Sequence, residues 1–444
     1  MFQCTAVFAE EAIDITSEIT FECKNINLTK IIDNSISTHC KSENIQITGR
    51  TDVPLEGIYV KYNKTPGGGF INIDTPVAQN GFLHEYINLY GEKEFTLFYP
   101  EADICDIQVY SQGVLPKSVQ KWEIGEVETD ILLCATHSDD DQLFFAGLLP
   151  YYAGYRKVNV RVAYFINHYD TYNRTHELLD GLWHCGVKNY PDISPFPDGY
   201  SDSAEGAEKN LNTKGFAYKD FVNFQKNLIQ KYRPLVAVLH DFEGEYGHGA
   251  HMLNTKTFIE AVQALKNEND YIPEKIYIHL LEENKIEIDI DTSLDVFDGK
   301  TPFNVSQEAF RFHKSQHWTW FYDWIYGNDG NRTSASQIRS YNPKQYGLYY
   351  SSVGEDIHKN DMLENIHTYA ERKRRAKELD MLKESALFKL AEKTKSFNEM
   401  SFIDIQYTTT ESIRNISKSI TVVVTTIIVI FLVVVFAKHK KNKR

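Results

Sequence analysis

His137, Asp139, Asp140 and Asp141 stand in one short stretch, "THSDDD", between two apolar runs. Neighbouring carboxylates repel one another, and burying a cluster of them is costly unless positive charge lies among them. A metal ion, solvent or a basic partner would each supply that charge. A second stretch, "GEYGHGAH", carries His248 and His251, which share a face if the segment is helical. Two imidazoles and one carboxylate, with a fourth position left to water, form a ligand set typical of catalytic zinc. In a tight loop His137 and Asp140 converge on one ion while Asp139 points elsewhere. Each stretch alone also fits a plainer role, since aspartates cap helix N-termini and a Gly-rich turn can hold structural histidines. Both together, each following an apolar strand, point to a metal.

The elements that must position these residues are legible as a change of rhythm. From 14 to 120, short alternating segments ("EITFECKNI", "NIQITG", "LEGIYVKYN", "GGFINID", "EFTLFYP", "ICDIQVYSQG") are separated by Gly, Pro, Asn and Asp turns. That pattern predicts a β-sandwich. From 128 to 297 the strands "DILLCA", "VNVRVAYFIN", "LVAVLH" and "KIYIHLL" alternate with helical stretches such as "RTHELLDGLWHCG" and "DFVNFQKNLIQKY". Strand–helix alternation predicts a mostly parallel sheet covered on both faces. Sites in such sheets form beyond the C-terminal strand ends, where both histidine stretches begin. Residues 298–362 are an aromatic-rich extension, and 363–418 are highly charged and rich in helix formers, predicting a packing helix or stalk.

"HSDDD" resembles the "HPDDE" signature of the PIG-L/LmbE-like deacetylases, and "EYGHGAH" resembles that family's second motif. The resemblance runs from about Thr129 to Glu282. It implies a Rossmann-like α/β domain that binds one Zn2+ and hydrolyses the acetamide of N-acetylglucosamine-type sugars. Carried over by position, His137, Asp140 and His251 are the expected zinc ligands. Asp139 is the expected general base, with His248 as general acid or oxyanion-stabilising residue and Tyr246 as its oxyanion partner. "NRTHE" supplies Arg174 as a sugar contact, and "FPDGY" supplies Asp198 to receive a sugar hydroxyl. Ser138 stands where the family has proline and Asp141 where it has glutamate; neither change removes a ligand or the base. The segment 14–120 resembles a discoidin-like, carbohydrate-binding module in architecture only.

The rest of the chain bounds the setting. Its 444 residues suffice for several domains, and 42% apolar with 24% charged residues is ordinary for a globular protein. A net charge of −14 argues against a nucleic-acid partner. Residues 419–437 carry no charge from Ile420 to Ala437, and a basic tail, 438–444, follows. As a helix, that apolar run would rise about 27 Å. It predicts a single-pass membrane helix with a cytoplasmic tail and an extracellular body. Residues 1–13 resemble the end of a secretory signal. The six cysteines show no CxxC pairing, and a Cys23–Cys40 disulfide is left open. The expected protein is therefore a multidomain, membrane-anchored, extracellular zinc deacetylase of N-acetylated amino-sugar glycans or glycoconjugates. A non-catalytic glycan-binding surface protein and a zinc hydrolase of a non-sugar amide or ester are the alternatives.

Overall fold

A computed structural model describes residues 10–125 and 127–384. The expected membrane helix at 419–437, the tail at 438–444, the stalk beyond 384 and the first nine residues of the expected signal remnant lie outside the described residues. Among the described residues no helix is long and apolar enough to cross a membrane.

The first sheet is antiparallel and seven-stranded: β1 Thr20–Lys24, β2 Cys40–Arg50, β3 Leu55–Tyr62, β4 Gly69–Ile71, β5 Thr75–Val77, β6 His84–Asn88 and β7 Glu94–Ser111. Its path runs β1-β2-β7-β3-β6, with β4 and β5 paired to one side of β7. Two segments expected as separate strands, "EFTLFYP" and "ICDIQVYSQG", are the halves of β7. Pro100 does not break it. The ladder skips the Pro100–Asn44 pair, and Asn44 adopts φ +50°, so the missing N–H falls at an irregularity. The first half of β7 pairs with β2 and the second with β3. Tyr62 is in register with Ile104, yet its hydroxyl lies 2.9 Å from that of Tyr99, five positions along β7. On a flat sheet those positions are roughly 16 Å apart, so the sheet bends along β7. Residues 10–13 also belong to this unit, through a bridge between Glu11 and Val114. Cys23 and Cys40 are free thiols.

The second sheet contains β8 Ile131–Ala135, β9 Val160–Tyr164, β10 Asp192–Ile193, β11 Val236–Leu239, β12 Lys275–His279, β13 Lys285–Glu287 and β14 Gln345–Ser351. The order is β10-β9-β8-β11-β12-β14-β13. The first five strands are mutually parallel, and β14 and β13 close the edge antiparallel. β8 is flanked by β9 on one side and β11 on the other, which makes the β8/β11 boundary the switch point where a crevice opens. The aromatic-rich segment thus contributes β14 to this sheet.

The helices are α1 Tyr172–His184, α2 Ala204–Thr213, α3 Tyr218–Tyr232, α4 Gly249–Asn267, α5 Pro302–Phe310, α6 Trp320–Tyr326 and α7 Tyr369–Glu384. α1 gives way to Gly186 at φ +90°, where a Cβ would lie 2.7 Å from Gly154 Cα; only glycine suits that turn. α3 buries Phe221, Leu228, Ile229 and Tyr232 against the sheet and its neighbours. The charged helix α7 begins at Tyr369, and Leu363 and Ile366 just before it are buried in the core. The described chain to Tyr369 forms one compact unit holding both sheets, and the described residues from Ala370 to Glu384 lie outside it.

Candidate metal centre

Four parallel strands each deliver a histidine at or just past the C-terminal end: β8 His137, β9 His168, β11 His240 and β12 His279. His137 sits in the turn that follows β8, where the backbone N–H groups of Thr136 and His137 donate to Asp140 Oδ2 at 3.2 and 2.6 Å. That local bonding folds Asp140 back toward His137. From the other side, His248 N-caps α4, its Nδ1 accepting the Ala250 N–H at 3.2 Å, and His251 follows one turn later. Gly249 lets this first turn lie against α2; a Cβ there would meet Ser203 O at 2.1 Å.

The result is a tight triangle. His137 Nδ1 lies 3.4 Å from Asp140 Oδ2, His251 Nε2 lies 3.4 Å from the same oxygen, and the two nitrogens are 3.1 Å apart. Tetrahedral zinc with bonds of about 2.0–2.1 Å separates its ligand atoms by about 3.3 Å. The donor types and their spacing therefore fit such an ion. Polar atoms buried without a partner cluster here too: His137 Nε2, Ser138 Oγ, Asp139 Oδ2, His168 Nε2 and Arg174 Nε. Such atoms are rare in a folded interior. Two further groupings share His251: His137 with His248, and Asp140 with His240.

The three adjacent aspartates meet three different fates. Burial works against ionising Asp140, but His251, His137 and His240 around it hold its carboxyl well below the usual range. Asp139 is pushed up by burial and by the neighbouring Asp140 charge, while Arg174, whose Nη2 donates to Oδ1 at 3.3 Å, pulls the other way. Burial drives the Asp141 carboxyl well up; it accepts from Gln142 Nε2 at 2.5 Å. The shorter arm at this position ends inside the core, away from the triangle's bonds.

Around the triangle, burial works against a charge on His137, but Asp140 and then Asp198 push its pKa up to about 10; a metal held at Nδ1 would displace that proton. Asp198, 39% exposed at its side chain, stands 3.5 Å from His137 Nε2 and 3.9 Å from His168 Nδ1. Burial, and then the charges of His137 and His251, lower His248 to about 2. It is neutral, and since Nδ1 accepts a hydrogen bond, its proton resides on Nε2. Tyr246 occupies a left-handed conformation (φ +51°) between Gly244 and Gly247, both also at positive φ. Its ring meets those of His248 and His251 at 5.4 and 5.7 Å.

Sequence reasoning brought all eight of its site residues to one region but left out the group behind them. Glu245 is completely buried and accepts from three imidazoles: His240 Nδ1 at 2.7 Å, His251 Nδ1 at 2.6 Å and His279 Nδ1 at 2.6 Å. Burial raises its pKa, but His240 and the three hydrogen bonds prevail and hold it ionised. A donor at His251 Nδ1 leaves the Nε2 lone pair facing the triangle. The strand ends carried only half of the signal, the histidines themselves, because the pairing of the strands is decided by the fold. β11 and β12 run parallel with Leu239 beside Ile278, so His240 and His279 must be neighbours.

No known family model and no curated protein matches this chain. Among solved structures it is similar to the N,N'-diacetylchitobiose deacetylase from Pyrococcus horikoshii, at 14% identity and TM-score 0.34, over 50% of this chain and 83% of that one. It is also similar to the 4-carboxy-2-hydroxymuconate hydratase from Pseudomonas putida, at 15% identity and TM-score 0.31, over 52% and 99%. A third likeness, to CpGH89CBM32-6 from Clostridium perfringens, covers 22% of this chain and 97% of that one, at 12% identity and TM-score 0.18. At these scores none of them carries an activity across, and the chemistry must be argued from the site.

Proposed function

We propose that this protein is a zinc-dependent hydrolase that removes acetyl groups from N-acetylated amino sugars. The observation that carries the reading is the triangle of His137, Asp140 and His251, with ligand-like spacing, at the switch point of the second sheet. The resemblance of "HSDDD" and "EYGHGAH" to the deacetylase motifs narrows the reaction to amide cleavage. Zinc held by these three residues would supply Lewis acidity and lower the pKa of its water.

The chain's own residues supply the rest. Asp139 is the base: its Oδ2 is buried without a partner, and a carboxyl pushed upward is a better proton acceptor near neutral pH. Arg174 fixes the other oxygen and so orients the base. Its guanidinium is bonded inward; any sugar contact is made with what remains of its fork. Neutral His248 offers Nε2–H to the carbonyl oxygen as negative charge develops there, and the Tyr246 hydroxyl is the second donor. A neutral imidazole suits this role better than that of general acid, so the proton taken by Asp139 is the one passed to the departing amine. Asp198, partly exposed, accepts a sugar hydroxyl.

The body is extracellular and held by the apolar segment 420–437. The test is acetate release from N-acetylated glycans by the zinc-loaded full chain and by intact cells expressing it. Activity on added substrate that sediments with membranes is expected. Activity confined to the cell interior would overturn the orientation, and zinc binding without acetate release would overturn the enzyme.

A further inference from the structure

The packing around the metal centre leaves two outer rings, Tyr200 and Trp320, that the reaction itself does not use. Four rings form a ladder through the site: Tyr200 to His248 at 5.2 Å, His248 to Tyr246 at 5.4 Å, and Tyr246 to Trp320 at 5.5 Å. Every step is edge-to-face, with interplanar angles of 82–84°. The inner rungs are packed, since Tyr246 also leans on Phe144, Phe321 and Tyr341. The outer rungs are open: Tyr200 is 69% exposed and Trp320 46%. A lone exposed aromatic side chain is unremarkable on a protein surface. Here two stand at opposite ends of one ladder whose middle is the proposed oxyanion donor pair, and the inner rungs hold them in place before any ligand arrives.

Their chemistry matches one kind of occupant. A pyranose has an apolar face of C–H groups and a polar rim of hydroxyls. The exposed rings offer faces for the first, and Asp198, two residues before Tyr200, offers an acceptor for the second. One sugar ring over the metal centre uses Asp198, His248 and Tyr246, leaving both outer rings free. We infer that Tyr200 and Trp320 stack the sugars adjoining the one deacetylated, so that the substrate is a chain of linked amino sugars and not a free monosaccharide. The inference rests on the deacetylase reading and names its substrate class. Trp320 and Tyr200 set length specificity; they touch none of the reacting atoms.

The experiment compares N-acetylglucosamine with its N-acetylated tetramers in β-1,4 and β-1,6 linkage, using the zinc-loaded full chain. At least one tetramer is expected to show kcat/KM about tenfold or more above the monomer. Trp320→Ala and Tyr200→Ala should each cost that tetramer about tenfold more than the monomer, mainly through KM. Trp320→Tyr and Tyr200→Phe should restore it, because a ring face is what counts. Tyr90→Ala, an 88% exposed ring between β6 and β7, serves as a control without effect. Equal kcat/KM for monomer and tetramers overturns the inference while leaving the deacetylase intact. So does an equal loss on both substrates, which would make the rings mere packing for Tyr246 and His248. Absence of acetate from every sugar is a different result, for then the deacetylase reading itself has failed.

Discussion

The eight site residues divide by what each side chain touches. His137, Asp140 and His251 point at one another; Asp139 points at Arg174; His248 has one nitrogen bound to the backbone and one free. Replacing a ligand by Ala should therefore strip most of the zinc, while His248→Ala should keep it and lose rate. Equal zinc content in His251→Ala and His248→Ala proteins, measured by metal analysis after dialysis, would show that the two histidines have been assigned to the wrong roles. Asp139→Asn changes little in shape but removes the proton acceptor. It should cost about 10²–10⁴-fold in acetate release per zinc, with zinc content and thermal midpoint nearly unmoved. Glu245 acts one layer further out. Glu245→Gln keeps the volume but cannot accept from three imidazoles as a carboxylate does, so zinc affinity should fall about 10–100-fold. Unchanged affinity in a chelator competition would mean the three imidazoles hold their tautomers without it.

At the scale of elements, β7 carries a buried carboxyl that the site does not use. Asp106 is 1% exposed on this strand; its Oδ1 accepts the Asn34 N–H at 3.1 Å and its Oδ2 has no partner. Burial, only partly offset by Lys61, pushes its carboxyl up to about 6. The sign follows from linkage: a carboxyl whose folded pKa lies above its unfolded one stabilises the fold while protonated. That benefit is complete below about pH 4 and is lost as pH rises toward about 6. Between pH 4 and 7 the wild type should lose on the order of 3 kcal/mol relative to Asp106→Asn. Urea titrations of both proteins at pH 4, 5.5 and 7 measure the difference, and a difference that stays flat would disprove the assignment. The helices show how local chemistry feeds the site: because His248 is the cap of α4, the same residue that ends a loop also aims a donor.

For the whole molecule, the two sheets are joined by more than a linker. Tyr190 stacks on Phe82 at 4.6 Å and meets Trp122 edge-on at 5.5 Å, and its hydroxyl accepts the Leu83 N–H. His84 on β6 and His176 on α1 share a 2.6 Å hydrogen bond in the same interior. His84 Nδ1 faces Gln120 Oε1 at 2.7 Å, an atom that only accepts. That places a proton on Nδ1 and makes Nε2 the acceptor from His176. Burial lowers both imidazoles, His176 to about 3, so the pair is neutral. One apolar core runs through both sheets. Calorimetry should accordingly show one transition for the chain to Tyr369, and Tyr190→Ala should lower it by about 3 kcal/mol without splitting it. Two resolved transitions would mean the sheets fold independently.

Much of this was written in the chain's order of residues. The parallel strands are nearly continuous apolar runs, α3 carries an apolar stripe, and "HSDDD" and "GHGAH" announce their chemistry through residue type alone. These are local signals, and periodicity reads them because each depends on neighbours within a few positions. What could not be read were facts set by pairing across distance. The merging of two segments into β7 depends on Asn44 lying opposite Pro100, the carboxylate shared by three histidines depends on β11 lying beside β12, and the ring ladder joins residues from 200 to 320. Types and spacing decided which groups were available; only the fold decided which lone pairs, protons and ring faces meet, because those contacts form between segments far apart in sequence.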